Sequence, residues 1–460
     1  MNKLVTIFSM GILMTAQSLG AAEPSKSVAS SDNNDNNKSS YTTVSTQYDG
    51  DWRFRLGGYG EMLGTWKDYG INRWSGSNSG NSKVNHAEVS LPRFIIALDY
   101  KFSDKWILGA EIEFEAGGTG TAYELETGTG SENGEYESEM EKGGEVALEQ
   151  FHITRLIAPQ FNVRAGHLVL PVGLTNSHHE PINFFGTQRN EGETTFLPST
   201  WHETGIEFFG SLGKGYASFN YQAMIVAGLN PNGFSKYDWV KGGRQGIFET
   251  DNFSSPAWIG RLDYVGVPGL RVGASYYFVN NAGANSDKLI TYDQVGKIPV
   301  RIFTADAQYI NEYVTARANF MTGHIGHAAA IGRINNSYSS KSPYSRFTPI
   351  ASGSMTYMGE VGFNLKTILG KENFPVIYPF AHYEYYNPQQ TADADQTMDK
   401  RCQVSLWKFG LNWKPMPNLV VKADYTMRQI GTQKVFGKGL YNSENEFGIA
   451  IAYVGWFFQK

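Results

Sequence analysis

Apolar and polar residues alternate along most of the chain after residue 51, in segments of about ten residues. In the segment 419–428, one set of alternate positions is apolar and the other set is polar or charged. The apolar positions are Leu419, Val421, Ala423, Tyr425 and Met427, and the polar positions are Lys422, Asp424, Thr426 and Arg428. Because successive side chains of a β-strand point to opposite faces, this period of two predicts strands with one apolar and one polar face.

The same pattern predicts about sixteen strands, which together account for most of the chain. They lie near 52–66, 91–102, 105–116, 146–157, 160–167, 203–212, 215–227, 257–265, 269–279, 301–310, 312–320, 356–366, 375–386, 403–414, 418–429 and 446–458. Strands of globular proteins average about five or six residues, whereas a tilted strand needs about ten to cross a bilayer. The lengths therefore favour strands that cross a membrane.

The connections between these strands are alternately short and long. The short ones, such as Gly266-Val267-Pro268-Gly269, contain the Gly, Pro, Asn or Asp residues that tight turns require. The long ones are polar and lie near 67–90, 117–145, 168–202, 228–256, 280–300, 321–355, 387–402 and 430–445. This alternation puts the tight turns and both termini at one end of the sheet and the long loops at the other, as in transmembrane barrels.

A secreted β-sandwich or a β-propeller would also have alternating strands, with the apolar face turned inward. Two further features favour a membrane barrel. Formal charges lie at mid-strand on the polar faces, as expected for the wall of a water-filled lumen. Aromatic residues gather at strand ends beside the short turns, where a barrel has its interfacial girdle. They are Tyr100, Phe102, Trp106, Phe161, Tyr216, Tyr309, Trp413 and Phe457.

The sequence therefore predicts an all-β fold: a transmembrane, antiparallel, up-and-down β-barrel of about sixteen strands. Short periplasmic turns and eight long external loops would connect the strands. The barrel has to be closed, because hydrocarbon cannot satisfy the backbone N–H and C=O groups of an edge strand.

The first 22 residues have the composition of a secretory signal peptide. A positive charge at Lys3 precedes a mostly apolar stretch, 4–19, and the small residues 20–22 follow. The alternative is a buried N-terminal helix, but the next residues are too polar to pack on it. We predict a signal peptide at 1–22, a flexible polar spacer at 23–50 and the barrel at 51–460, in the outer membrane.

Composition excludes several classes of protein. The 460 residues are 41% hydrophobic, and no apolar run after residue 22 has the roughly 20 residues of a membrane helix. The formal net charge of −5 gives no broad basic surface, so nucleic-acid binding is not expected. Cys402 is the single cysteine, and no Cys/His spacing around it indicates a zinc site. No cofactor is expected.

One strand-to-loop segment resembles an element of a known family. The stretch from Asn162 to Leu174, NVRAGHLVLPVGL, is similar to the G-x-F-x-x-P-x-G-x element of the phosphate-selective porin O/P family and of similar Bacteroidetes porins. The segments 193–196 and 201–206 follow as in those proteins, and Leu168 replaces the usual aromatic residue. The resemblance implies homotrimers, an inward-folded third loop and, in some members, a phosphate-binding ladder of arginines.

The period of two assigns charges of both signs to the interior face. The candidate pore-lining residues are Arg53, Arg55, Glu61, Arg93, Asp99, Glu111, Glu113, Arg164, Glu207, Arg261, Asp263, Arg271, Asp306, Arg317, Glu360, Glu384, Lys408, Lys422, Asp424 and Arg428. A selective anion channel needs a ring or ladder of one sign, whereas these signs are interspersed. The second long connection, 117–145, is rich in glutamate and would repel phosphate at low salt. The pattern favours weak selectivity.

The third long connection, 168–202, is the best candidate for a constriction, because a barrel this wide needs an inserted segment to narrow it. Its candidate residues are His178, His179, Glu180, Arg189, Glu191 and Glu193. The alternative is an ordinary loop that caps the barrel mouth, and the sequence leaves both open. Adjacent histidines on an extended chain point opposite ways, so this histidine pair does not predict a metal site.

The leading hypothesis is a general diffusion porin for small hydrophilic solutes or ions, with a wide barrel and a charged, unfilled interior. A phosphate- or anion-selective channel and a surface binding or attachment barrel are the alternatives. An enzyme is not expected, because the sequence has no G-x-S-x-G, H-E-x-x-H or complete G-x-G-x-x-G motif. Expected partners are small polar solutes or inorganic ions, outer-membrane lipid and lipopolysaccharide, and further copies of the chain in a homotrimer.

Overall fold

The computed structural model describes most of the chain beyond residue 47. The described residues are 48, 50–69, 73, 85–118, 121–125, 138–142, 145–198, 200–245, 250–286, 291–337, 349–393, 396–432 and 444–460. The predicted signal peptide and all of the predicted spacer except Tyr48 and Gly50 lie outside these residues. Much of the glutamate-rich second connection also lies outside them.

Sixteen of the strands form a closed antiparallel barrel in which each strand pairs with two neighbours. The strands are β1 Phe54–Asp68, β2 Asn85–Ser103, β3 Trp106–Glu115, β4 Thr121–Leu125, β5 Ser138–Lys142, β6 Glu145–Ala158, β7 Phe161–Val169, β8 His202–Leu212, β9 Phe219–Val226, β10 Ala257–Val267, β11 Leu270–Val279, β12 Val300–Ile310, β13 Val314–Ile325, β14 Gly353–Phe363, β15 Val376–Thr391, β16 Val404–Met416, β17 Leu419–Ile430 and β18 Asn445–Gln459. The short strands β4 and β5 pair only with each other.

The first and last strands close the barrel. β1 pairs with β18 along its length, and reciprocal backbone hydrogen bonds of 2.9 Å join Phe54 to Lys460 at one end. No barrel strand is left with an unpaired edge, which is the condition for stability in hydrocarbon. The sixteen-stranded antiparallel barrel that the sequence predicts is confirmed.

Alternation separates the two faces of the wall as predicted. On β17, Lys422 is 1% exposed and Asp424 is 4% exposed, whereas Tyr425 between Asp424 and Thr426 is 45% exposed. The polar face is thus turned into the barrel and the apolar face outward. The large exposed side chains at the short-turn end include Phe102, Trp106, Phe161, Tyr216, Trp413 and Phe457. An apolar outer surface with aromatic residues near its rim suits a bilayer.

Short helices lie within the connections. The α-helices of the described residues are α1 Leu174–Ser177, α2 Glu191–Phe196, α3 Ala328–Asn336 and α4 Leu365–Leu369. The 3₁₀ turns of the described residues are Pro181–Asn183, Gly215–Ala217, Pro231–Gly233, Lys241–Gly243, Ala282–Asn285, Asp293–Val295 and Lys400–Cys402. Among the described residues, no helix has both the length and the hydropathy needed to cross a bilayer.

Several boundaries differ from the predicted ones. β2 begins at Asn85 rather than near 91, and β9 begins at Phe219 rather than near 215. The late start of β9 follows from the 3₁₀ turn before it, which the chain enters through Gly213 with a φ of +80°. The predicted end of the strand near 356–366 instead begins α4, which Gly370 terminates in the left-handed region at a φ of +61°. The β4–β5 hairpin was not predicted.

An apolar cluster occupies the barrel end that carries the long connections. Inward side chains of β11 to β13, including Tyr277, Ile302 and Met321, belong to this cluster together with Trp239 from the connection after β9. Trp239 is fully buried, and its indole N–H donates to the carbonyl of Ala351 at 3.2 Å. The expectation of an unfilled interior is therefore wrong at this end, because the connections bury apolar side chains inside the rim.

Candidate functional site

The predicted interior charges lie on the inner face with one exception. Residues such as Asp99, Glu207 and Lys422 are almost fully buried. Arg53 is exposed instead, and its Nε donates to the hydroxyl of Tyr100 at 3.2 Å. The prediction for Arg53 is corrected because the chain enters β1 only at Phe54, so the period of two does not extend back to Arg53.

Arginines and acids on neighbouring strands form ion pairs inside the barrel. Arg55 contacts Asp99 at 2.7 Å, Arg164 contacts Glu207 at 3.0 Å, and Arg317 contacts Glu360 at 2.7 Å. Residues directly opposite on paired strands are close enough for such pairs. The interspersed signs of the sequence thus correspond to cross-strand pairs.

A larger cluster, called here the quartet, lies on β10 to β12. It consists of Arg261, Asp263, Arg271 and Asp306. Each arginine contacts both aspartates, at distances of 2.7–3.2 Å. All four side chains are at most 8% exposed, so this charge is buried but internally balanced.

The third connection enters the barrel as a closed loop. The inserted loop is defined as residues 170–201, of which Ser199 lies outside the described residues. The Asn176 side chain joins its two ends: its Nδ2 donates to the Leu170 carbonyl at 2.7 Å, and its Oδ1 accepts from the Trp201 N–H at 2.6 Å. Backbone groups near the two ends of the loop are therefore held by one amide.

The inserted loop reaches a distant part of the wall. Lys422 of β17 donates to the carbonyls of Phe184 at 2.8 Å and Gly186 at 2.9 Å. Asp424 accepts from the Thr187 N–H at 2.5 Å. In the barrel order, five strands separate β7, where the loop begins, from β17 in the shorter direction. The loop therefore crosses the interior instead of only capping the mouth.

A second anchor holds α2 against β15 and β17. Glu384 accepts the N–H groups of Glu191 at 2.9 Å and Gly192 at 2.5 Å. The Glu191 carboxylate contacts the Arg428 guanidinium through both Nε and Nη2, at 2.5–2.9 Å. Burial raises the pKa of Glu191, but the Arg428 charge and its hydrogen bonds outweigh burial and lower the pKa to about 2. This pair is a charge-assisted anchor.

Glu193 holds the two short helices of the loop together. Its carboxylate accepts the N–H groups of Leu174, Thr175 and Asn176 at the start of α1, at 2.6–3.1 Å. Burial raises the pKa of Glu193 to about 7 against these donors. Gly173 has a φ of +87°, and a Cβ there would meet the Glu193 carboxylate at 2.3 Å, so this turn requires glycine.

Three of the remaining loop candidates make hydrogen bonds within the loop itself. His178 Nδ1 donates to the Leu174 carbonyl at 3.0 Å, and burial lowers the pKa of His178 well below its usual value. His179 Nδ1 donates to the Asn176 carbonyl at 3.1 Å, and burial lowers its pKa to about 4. Burial raises the pKa of Glu180, whose Oε2 accepts from Asn183 Nδ2 at 2.7 Å.

Sequence reasoning missed three buried residues on the inner face of the barrel: Glu149, His152 and His382. A register shift between β3 and β6 pairs Glu111 with Gln150 and Ile112 with Leu148. Glu149 is the extra residue of this bulge, so both Glu149 and Gln150 are buried inside. The sequence signal was a break in alternation at Leu148-Glu149-Gln150-Phe151.

No protein-family model matches the sequence. An uncharacterized protein of Aquifex aeolicus (strain VF5) is 26% identical over 385 residues, which cover 82% of this chain and 76% of that protein. The resemblance to the phosphate-selective porin O/P family therefore stays a prediction.

Solved structures of outer-membrane channels have a similar fold. The Salmonella typhi OmpF complex with daunomycin has a TM-score of 0.51 at 13% identity, over 88% of this chain and 98% of that chain. The anion-selective porin from Comamonas acidovorans has a TM-score of 0.49 at 10% identity, over 88% and 99% of the two chains. At 13% identity, the likeness to the OmpF structure concerns the fold alone, which in this chain is a closed sixteen-stranded antiparallel barrel.

Proposed function

We propose that the protein is an outer-membrane porin that lets small hydrophilic solutes or ions diffuse passively, with the inserted loop as its constriction. The observation that carries the proposal is the contact of Lys422 and Asp424 with the loop backbone. A loop held in this way narrows the lumen without depending on its own flexibility. The apolar outer face supports a place in the membrane.

The pairing of interior charges supports weak ion preference over phosphate selectivity. Arg55, Arg164 and Arg317 each contact a carboxylate at 3.0 Å or less. An arginine neutralised by such a contact has less attraction left for a passing anion than an unpaired one. A phosphate- or anion-selective channel is therefore the second candidate, and the likeness of the fold to an anion-selective porin does not decide between the two.

Conductance of the full chain in planar lipid bilayers tests the proposal. We expect ohmic current steps and a small reversal potential across a KCl gradient, and continued conduction with phosphate as the only anion. In Lys422→Met, loss of both carbonyl contacts should loosen the loop at β17, where Asp424 and Arg428 still hold it, and should raise the single-channel conductance. Arg301→Met, an exposed position on β12, is the control and should conduct as the wild type does.

Two results would contradict the proposal. A correctly folded barrel that inserts and carries no current would exclude diffusion through it. A reversal potential close to the ideal anion value, with phosphate blocking chloride current, would favour the selective channel instead.

A further inference from the structure

A cluster of three buried ligand atoms lies where the inserted loop meets β3 and β6. Glu111 comes from β3, Glu149 from the β6 bulge and His179 from the loop. Their side chains offer one ligand atom each, all within 4.8 Å of one another. The three residues are 2%, 0% and 1% exposed, so water provides little solvation for the carboxylates.

The orientation of His179 leaves an acceptor facing an acceptor. Because a carbonyl oxygen can only accept, the contact with the Asn176 carbonyl fixes the proton of the neutral ring on Nδ1. Nε2 then carries a lone pair, and it lies 3.4 Å from Oε1 of Glu149. Only a proton or a cation between these two atoms makes that contact favourable.

Glu149 has the same need for a positive partner. Among the described residues, neither of its carboxylate oxygens has a donor in hydrogen-bonding geometry, and neither does His179 Nε2. The Thr200 hydroxyl supplies a polar interaction to Glu149. The Arg189 charge also attracts Glu149. A fully buried carboxylate is nevertheless costly, and buried carboxylates are usually paired or coordinate metals.

We propose that Glu111, Glu149 and His179 form a binding site for a divalent transition-metal cation of the zinc type. One imidazole nitrogen with carboxylate oxygens is a ligand set that Zn²⁺ accepts, at bond lengths of about 2.0–2.2 Å. Ligand atoms of a tetrahedral zinc ion are about 3.4 Å apart. The distance of 3.4 Å between His179 Nε2 and Glu149 Oε1 already has this value. The remaining ligand atoms would have to approach one another by up to about 1.4 Å, which rotation of the glutamate side chains supplies.

The surrounding contacts support this assignment. A metal-ligating histidine usually donates its other ring N–H to a carbonyl or carboxylate, as His179 does to Asn176. Glu111 is also oriented, because its Oε2 accepts from Gln150 Nε2 at 2.7 Å. Glu180 adds a further buried carboxyl close to Glu111 and Glu149. Arg189 and Arg93 also act on His179, so the carboxyl groups of this cluster are partly balanced, and a bound cation would complete the balance.

A cation here would join the barrel wall to the loop. Two of its ligands belong to barrel strands and the third to the inserted loop, so binding would hold the loop at β3 and β6 as well as at β17. This inference depends on the insertion of the loop and not on conduction. A barrel that carries no current would still bind the metal.

Zinc binding to the purified full chain tests the site. The protein is stripped with a chelator, and Zn²⁺ alone is titrated by calorimetry, with bound metal counted by mass spectrometry after dialysis. We expect one bound ion per chain in the wild type. Glu149→Gln and Glu111→Gln, which keep the side-chain shape, should each weaken binding by at least about tenfold.

Glu88→Gln is the matched control, because His86 and Glu88 form an exposed His–Glu contact at 2.5 Å on β2. It should bind zinc as the wild type does. If the wild type binds no zinc, a proton between His179 and Glu149 explains the contact and the proposal is wrong. Equal binding by the wild type, Glu149→Gln and Glu111→Gln would assign the metal to other residues and would also overturn it. If Glu149→Gln does not fold, Glu111→Gln and His179→Asn give the same decision.

Discussion

The interior of the barrel has two charged sides that are built differently. On the paired side, from β10 to β17, each arginine of the quartet contacts two aspartates, and Arg428 contacts Glu191. On the acid-rich side, at β3 and β6, Glu113 lies near Glu149 and Glu115, and its nearest ion-pair contact, with Arg93, is 3.9 Å. The paired side is balanced by close ion pairs, whereas on the acid-rich side the carboxyl groups outnumber the arginines that act on Glu113, Arg93 and Arg189.

This difference predicts how the stability of each side responds to the removal of a charged side chain. In a balanced cluster every charge depends on its neighbours, so removal of one member leaves a buried charge uncompensated. In an acid-rich cluster, removal of one carboxylate reduces repulsion between those that remain. Removal of one charged side chain should therefore lower the free energy of unfolding on the paired side and raise it on the acid-rich side.

The largest effect is expected at the quartet. Arg261→Met removes the guanidinium that contacts Asp263 at 2.7 Å and Asp306 at 2.9 Å. Two buried aspartates then share Arg271 alone, and the free energy of unfolding should fall by about 3–5 kcal/mol. Urea unfolding of the folded barrel in detergent or lipid measures this loss. Arg301→Met on the neighbouring outer face should change it by less than about 1 kcal/mol, and an equal loss there would remove the distinction.

The Glu191–Arg428 anchor should make the paired side sensitive to acid. The pKa of Glu191 in the folded chain is about 2, below its ordinary value of 4.5. A lowered carboxyl pKa contributes stability that is present above pH 4.5 and is lost as the pH falls toward 2. The shift corresponds to roughly 3 kcal/mol.

Comparison of the wild type with Glu191→Gln isolates that contribution. The difference in unfolding free energy should be largest at pH 7 and should shrink steadily between pH 4.5 and pH 2. Glu372→Gln, at an exposed turn, is the control and should give a flat difference over the same range. A difference for Glu191→Gln that does not depend on pH would show that the pair does not anchor the loop electrostatically.

Most of the wall could be predicted from the sequence because its signal is repeated. Each strand carries its own alternation, and the order of short and long connections fixes which strands are neighbours. The sequence also predicted which face of each strand is polar, since charged residues such as Lys422 and Asp424 share one set of alternate positions. The prediction from alternation failed at two places where the backbone leaves the regular strand. These are the start of β1 around Arg53 and the β6 bulge around Glu149.

The sequence predicted the position of the inserted loop along the chain but not the contacts that hold it. The candidates from His178 to Glu193 were found because they are polar residues in the third long connection. Their roles depend on partners far away in the chain, such as Glu384 and Arg428, and no local pattern specifies these contacts. The cluster of Glu111, Glu149 and His179 escaped for the same reason, because it joins two strands and a loop.

On the acid-rich side, Glu113→Gln should stabilise the chelator-treated protein at pH 8 by about 1 kcal/mol. Its carboxylate is repelled by Glu149 and Glu115, and a neutral amide of similar shape removes that repulsion. Urea unfolding under the conditions used for Arg261→Met gives the comparison directly. Glu88→Gln, which breaks an exposed pair with Lys67, should instead cause a slight loss. A loss at Glu113 as large as that at Arg261 would mean that the two sides are alike.

The smallest effect is expected in ion preference. Spare negative charge near a lumen favours cations, so Glu113→Gln should lower the cation-to-anion permeability ratio, by roughly twofold at low salt. Removal of a whole pair on the other side, in Arg317→Met/Glu360→Gln, takes away one charge of each sign and should leave the ratio nearly unchanged. Reversal potentials across a KCl gradient measure both. A larger shift in the double variant than in Glu113→Gln would place the selectivity on the paired side of the interior.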